Sequence, residues 1–264
     1  MPGRVIILGC GGSGGVPLIG GGDGRGQWGV CDPAEARNRR TRSSIVIEGG
    51  DGRRLLVDTG PDLHRQLLDC GVGRVDAIFY THTHADHIMG LDDVRGLNRT
   101  LGDVLPAYGT AFTLEDLERR FEYAFKPSTA PSFFRPALAP HPILPGEVYE
   151  MAGMAVRVFR QDHKVMETLG LRMGDFAYST DVVEMPEESF AQLQGLDTWI
   201  VDCFQRQPHP VHAWLERVLL WVERIRPRRT ILTHMGTDMD WAWMHDHLPA
   251  GVEPAHDGMI VPLP

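Results

Sequence analysis

Cysteine is scarce in this chain: there are 4 in 264 residues, Cys10, Cys31, Cys70 and Cys203, with no short paired spacing such as C-x-x-C. That argues against a disulfide framework and against a cysteine zinc knuckle, and it fits a reducing compartment. Positive charge is also short, with 26 Lys and Arg against 35 Asp and Glu and a formal net charge of -9. A protein that lies along nucleic acid needs a basic face to displace counterions, so no long nucleic acid is expected as a partner. Long apolar runs are missing as well. The amino terminus, MPGRVIILGCGGSGG, has one Arg and a very short apolar run before its glycines, too little for a signal peptide or a membrane span. A cytoplasmic protein without a membrane partner is expected.

What the chain does have is enough apolar material, 42% of residues, to bury one sizeable core, and a single domain over 1–264 is expected. Short apolar or alternating runs read as strands: RVIILG, SIVIEG, RLLVDTG, DAIFYT, AVRVFR, DFAYST, TWIVD and RTILTH. Between them, PDLHRQLLDCG reads as a helix from Pro61 to Gly71. VHAWLERVLLWVERIRP reads as another, with Trp214, Leu215, Val218, Leu219, Val222 and Ile225 on one face and a stop at Pro227. Strands interleaved with helices indicate a layered α/β protein, and the irregular connections favour two sandwiched sheets covered by helices over a doubly wound sheet. Residues 96–147 break the rhythm. TLEDLERRFEYAF predicts one capped amphipathic helix, and KPSTAPSFFRPALAPHPILPG shows no strand periodicity. A lid or insert is expected there, its Phe-rich part at 121–138 either covering a site or packing against a second subunit of a homodimer.

The chemistry concentrates in THTHADHIMGLDD, residues 81–93. With 12 His in the chain, a chance H-x-H-x-D-H is on the order of one in a thousand. Four potential ligands this close repel on protonation unless a divalent metal holds them. His82 and His84, two apart on an extended segment, can project the same way, whereas Asp86 and His87 follow where the chain turns and can aim at a second point. Two metals need further ligands. His163 in FRQDHKV, Asp181 after FAYST and His234 after RTILT are the candidates at strand ends.

THTHADH, then a lone His, then an Asp after a strand, then LTH resembles the metallo-β-lactamase superfamily over nearly the whole chain. The resemblance implies an αββα sandwich with a binuclear site between its sheets. LGCGGSGGVP, RTRSSIVIE, LLVDTGPDL, YSTDV, HPVHAWL and LTHMGTDMD are similar to the branch of phosphoribosyl cyclic phosphate phosphodiesterases. Carried over, His82, His84 and His163 hold one metal, Asp86, His87 and His234 the other, and Asp181 bridges. Asp58 in LLVDTG corresponds to a buried aspartate that orients metal-binding histidines, and His212 to a histidine that protonates the leaving group while Asp86 orients the water. His and Asp ligands without thiolate allow two divalent ions, Zn, Mn or Fe. The cysteine cluster that holds an additional structural zinc in that branch is reduced here to Cys31, so this extra zinc is not expected.

The loop LGCGGSGGVP lacks the ending of a Walker loop and reads as a close approach to the metal pocket, with Ser13 a contact to substrate. Arg37, Arg39, Arg40 and Arg42 form either a solvated face or a set of guanidinium groups for a phosphate or carboxylate, with Arg42 the substrate contact. The function these features favour is a binuclear phosphodiesterase for a small cyclic or nucleotide-like phosphodiester. The alternatives are an ester or thioester hydrolase of the same superfamily, or a non-hydrolytic accessory protein similar to that of pyrroloquinoline quinone formation.

Overall fold

The computed structural model describes residues 3–127 and 133–263. The strands are β1 (Arg4–Gly9), β2 (Ser44–Glu48), β3 (Arg54–Val57), β4 (Ala77–Phe79), β5 (Leu105–Gly109), β6 (Leu138–Pro142) and β7 (Val148–Met151). They continue with β8 (Met154–Asp162), β9 (Glu167–Met173), β10 (Phe176–Ser179), β11 (Thr198–Asp202), β12 (Arg229–Thr233), β13 (Val252–Pro254) and β14 (Ile260–Pro262). The α-helices are α1 (Leu63–Asp69), α2 (Ala85–Ile88), α3 (Val94–Leu101), α4 (Ala111–Arg120), α5 (Glu122–Phe125), α6 (Glu187–Gln192), α7 (Leu215–Ile225) and α8 (Trp241–His247).

Two mixed seven-stranded sheets result, in the orders β14-β1-β2-β3-β4-β5-β6 and β13-β12-β11-β10-β9-β8-β7. The two share one pattern. In the first, the pairings from β14 through β3 are antiparallel and those from β3 through β6 parallel. In the second, β7 through β10 pair antiparallel and β10 through β13 parallel. Parallel strands are covered on both faces, which is why the runs at β3, β4, β10 and β11 are almost continuously buried and mostly apolar rather than alternating.

Alternation decides which cluster each residue joins. Val5 and Ile7 of β1 face the apolar cluster that spans both sheets, with Ile45, Ile47, Leu55, Val57, Val156, Val158 and Leu171. Ile6 and Leu8 face the other way and pack with Leu63 and Leu67 of α1, Val94 and Leu97 of α3 and Leu114 and Leu117 of α4. Each such fully buried side chain contributes about 1.5–3 kcal/mol.

Three local expectations are corrected. The helix expected over TLEDLERRFEYAF begins earlier, at Ala111, because the Thr110 hydroxyl caps the Thr113 amide, and it breaks at Phe121 (φ -127, ψ 43) into α4 and α5. LAPHP, read as non-strand, forms β6. It is the edge strand, where proline removes no donor that a neighbour needs. In α7 the buried face is Val218, Trp221 and Ile225, while Trp214 stands at the cap rather than on the face. The 96–147 stretch supplies β5 and β6 to the first sheet, and residues 128–132 of its Phe-rich part lie outside the described residues.

Candidate metal centre

The parallel strands of both sheets end on the same side, and the candidate residues follow those ends. Asp58 follows β3, His82 and His84 follow β4, His163 follows β8, Asp181 follows β10, Asp202 ends β11 and His234 follows β12. Three of them are forced into left-handed backbone, Asp58 (φ 64), Asp181 (φ 52) and His234 (φ 56). That turn redirects the side chain away from the pleat, at about 1–2 kcal/mol for each non-glycine residue. His82 and His84 lie on extended chain with ring centroids 4.7 Å apart, and His84 is then the residue before α2, whose first turn carries Asp86 and His87.

Three groups converge, the smallest being Asp202, His212 and His234. His82, His84, His163 and Asp181 each bring one ligand atom within 4.8 Å of the others, and so do Asp86, His87, Asp181 and His234. Asp181 belongs to both. Its Oδ1 lies 3.9 Å from His82 Nε2 and 3.7 Å from His163 Nε2, and its Oδ2 lies 3.0 Å from His87 Nε2 and 3.3 Å from His234 Nε2. Asp86 Oδ2 sits 3.2 Å from His87 Nε2 and 3.5 Å from His234 Nε2.

In three of the histidines the other ring nitrogen is spoken for, and this fixes which nitrogen faces the centre. His87 Nδ1 lies 2.7 Å from Asp58 Oδ2, and His163 Nδ1 lies 2.6 Å from the Val211 carbonyl. The Thr81 hydroxyl donates to Asp58 Oδ2 at 2.8 Å, so it can only accept from His82 Nδ1 at 2.9 Å. These rings donate outward through Nδ1 and leave Nε2 as the nitrogen that faces the centre. His82 Nε2, His87 Nε2, His234 Nε2 and Asp86 Oδ2 are buried and make no hydrogen bond among the described residues. Lone pairs and carboxylate oxygens orphaned around one point fit a cation.

The electrostatics agree with that polarity. Burial alone would push Asp181 up, but His234, His87 and His82 outweigh it and hold the carboxyl well below the usual range. Asp86 is lowered too, His87 overcoming its burial. Burial lowers His82, His84 and His163, keeping them neutral. His87 and His234 are raised despite burial, chiefly by Asp181, His234 to about 9. In the metal-free protein the second group therefore holds protons where a cation would sit.

His212 is brought to the same place. Its Nδ1 lies 3.0 Å from Asp202 Oδ2 and 3.9 Å from Asp181 Oδ1, and its ring stands 4.7 Å from those of His163 and His234. Two other sequence-predicted residues are placed differently. Ser13 is exposed, one residue beyond Gly12. Arg42 pairs with Asp62 at 3.0 Å, and of its neighbours Arg40 is only 2% exposed and donates to the carbonyls of Gly236 and Met239. Arg37 and Arg39 lie over the rings of Trp241 and Trp28.

Sequence reasoning missed Asp202 and Thr81. Asp202 also accepts from the Val182 amide at 3.1 Å and reaches to 3.8 Å from His234 Nδ1, so it stands to His212 as Asp58 stands to His87. The signal was present, since TWIVD ends on a strand-terminal Asp just as RLLVD does.

His and Asp clusters able to hold metal, at the strand ends of a two-sheet sandwich, define the metallo-β-lactamase class, a fold of metal-dependent hydrolases. The family model for the beta-lactamase superfamily domain matches residues 53–235, and the chain belongs to that superfamily. Within it the chain belongs to the PhnP family. A solved diphosphatase of that family is 33% identical, with a TM-score of 0.87 over 99% of this chain and 98% of its own. Among curated relatives, an octanoyltransferase of Porphyromonas gingivalis (strain ATCC BAA-308 / W83) is 28% identical over 97% of this chain and 51% of its own length. A ribonuclease Z of Bradyrhizobium sp. (strain ORS 278) is 30% identical over 50% of this chain and 43% of its own. The chain thus spans about half the length of these first curated relatives. None of its described helices is long and apolar enough to cross a membrane.

Proposed function

We propose that this protein is a binuclear metal-dependent phosphodiesterase acting on a small cyclic or nucleotide-like phosphodiester. The observation that carries it is the position of Asp181, one carboxylate oxygen turned to each of two histidine groups. His82, His84 and His163 would hold one ion, Asp86, His87 and His234 the other, with Asp181 shared. Zn, Mn and Fe all suit these ligands. Bound there, divalent ions neutralise phosphate charge and bring the acidity of water near neutral pH.

The chain's own groups do the rest. Asp86, lowered in pKa and held against His87, offers a fixed carboxylate that can accept a hydrogen bond from the attacking water. His212 donates its Nδ1–H to Asp202 at 3.0 Å, which fixes the ring, and in its protonated form the Nε2–H, with no hydrogen-bond partner among the described residues, is the donor to a departing alkoxide. The 7% exposure of His212 places that donor at the edge of the buried cluster, where a leaving group departs to solvent. Membership of the PhnP family and the diphosphatase and ribonuclease Z relatives support phosphorus over acyl chemistry.

The test is turnover of bis(p-nitrophenyl) phosphate by protein stripped and reloaded separately with zinc and manganese, with bound metal counted in the same samples. Turnover that requires about two ions per chain is expected. Two bound ions, no cleavage across aryl and cyclic phosphodiesters, and turnover of an ester or thioester panel would move the assignment to acyl chemistry.

A further inference from the structure

The glycine-rich loop after β1 has so far no part in the reaction, yet two glycines explain each other through one aromatic ring. Neither Gly12 in that loop nor Gly236 after His234 adopts a left-handed φ, so the backbone does not require glycine at either place. Space does. A Cβ on Gly12 would stand 2.7 Å from Cε2 and 3.0 Å from Cδ2 of Phe204, and one on Gly236 would stand 3.3 Å from Cε2 and Cζ of the same ring. Both distances are below van der Waals contact, the first severely so.

Phe204 in turn touches His212. The two rings stack with centroids 4.9 Å apart and planes 24° from parallel, and His209 closes on Phe204 at 4.8 Å. The backbone locks the same set together. The Phe204 amide donates to the Ala213 carbonyl at 2.9 Å, and the Gly236 amide donates to the Phe204 carbonyl at 2.8 Å. The Gly12 amide donates to the Met235 carbonyl at 3.1 Å. Asp202 holds one edge of the His212 imidazole, the His234 ring stacks against it with centroids 4.7 Å apart, and the flat Phe204 ring pressed against it limits its rotation further.

We propose that Phe204 is a positioning residue for His212, and that the loop at Gly12 is built without a side chain so that the Phe204 ring can lie where it aims that imidazole. This rests on the reading of His212 as proton donor to the leaving group. It assigns the glycine loop a catalytic purpose other than cradling phosphate, since Gly12 acts through a ring and not through its amide.

Leaving groups separate this role from a merely structural one. A p-nitrophenolate departs without protonation, whereas the alkoxide released from a 2′,3′-cyclic nucleotide needs a donor. The metal-loaded enzyme and its Gly236→Ala, Gly12→Ala, Phe204→Leu and His212→Ala variants are compared on both substrates, with kcat, KM and bound metal measured for each. His212→Ala is expected to lose about 100-fold or more in kcat on the cyclic nucleotide and far less on bis(p-nitrophenyl) phosphate. Phe204→Leu and Gly12→Ala reproduce that substrate dependence at roughly tenfold, with unchanged KM and metal content, and Gly236→Ala shows the smallest loss. Equal losses on the two substrates, or wild-type rates on both, overturn the inference while the His212 reading stands. A His212→Ala variant that shows no leaving-group dependence overturns that reading and the inference with it.

Discussion

Asp58 is the place where the reasoning about tautomers can be broken most cleanly. It is fully buried and accepts three hydrogen bonds, from the Thr81 amide on Oδ1 and from the Thr81 hydroxyl and His87 Nδ1 on Oδ2, at 2.8, 2.8 and 2.7 Å. Asp58→Asn keeps the size and tolerates the left-handed φ of 64°, so the backbone stays as it is. The new amide NH₂ cannot take the Oδ1 place, where it would meet a backbone N–H at a cost of about 1–3 kcal/mol. It takes the Oδ2 place instead. There it donates, and His87 must turn Nδ1 into an acceptor by moving its proton to Nε2. A protonated Nε2 is no ligand, so metal affinity should fall about 10- to 100-fold, or roughly 1.4–2.8 kcal/mol. In the stripped protein the raised His87 pairs with Asp58 at 2.7 Å inside the fold, and removing one partner of such a buried pair costs about 3–5 kcal/mol, so the stripped variant should also unfold at a lower temperature. The assay is competition with a chromophoric chelator for zinc or manganese, beside thermal unfolding of the stripped protein. Wild-type affinity in Asp58→Asn would refute the assignment of His87 as a ligand held by Asp58.

Asp181→Asn should weaken both ions together, because one carboxylate oxygen faces each group; loss of a single ion, counted by elemental analysis, would end its role as a bridge. Metal loading of the stripped protein should release protons. Site carboxylates raise His87 and His234, His234 to about 9, so the His234 proton is held below that pH and lost above it. Release near about pH 7, read by calorimetry in two buffers of different ionisation enthalpy, should therefore fade, and apparent affinity rise, as pH climbs through about 9. No proton release near neutrality would refute it. Arg40→Met removes donors to Met239 (2.6 Å), Asn38 (3.1 Å) and Gly236 (3.3 Å) inside the protein, costing about 3 kcal/mol, which at about 2–4 °C per kcal/mol lowers Tm by roughly 6–12 °C. An unchanged Tm would show those carbonyls rewetted at no cost.

The site was legible because its spacing is chemical. An H-x-H on extended chain followed by D-H on a helical turn leaves few ways to be satisfied, and His163, Asp181 and His234 stand where strand ends deliver side chains. Each apolar run read as a strand forms one. The unread strands are mostly those whose letters carry competing signals: LPAYG and LAPHP hold prolines, ETLGLRM is split by Gly170, β13 and β14 have three residues each, and β7 is a four-residue edge strand. Their pairing is decided by neighbours in the sheet and not by local preference. Arg40 shows the converse failure. Within a run of arginines nothing marks the one whose guanidinium is swallowed by the turn after His234, because its partners are backbone carbonyls nearly 200 positions away.

Strain is the least legible part and the most telling about the site. Of the six non-glycine residues with left-handed backbone among those described, Asp58, Asp181 and His234 belong to the centre, and Lys164 directly follows His163. Glycine would relax each of them by about 1–2 kcal/mol, and the chain uses glycine freely at such angles elsewhere. These positions keep a carboxylate or an imidazole at that cost, and the two sheets that supply them hold the turns closed through hydrogen bonds on either side: Asp58 N to Phe79 O, Met235 N to Cys10 O. The ligand geometry is thus imposed by the fold before any cation arrives. Reorganisation on metal loading should accordingly be confined to protons and side-chain rotations, and tautomer control at Asp58 and ring control at Phe204 are two points at which a single substitution can disturb the chemistry without unmaking the sheets.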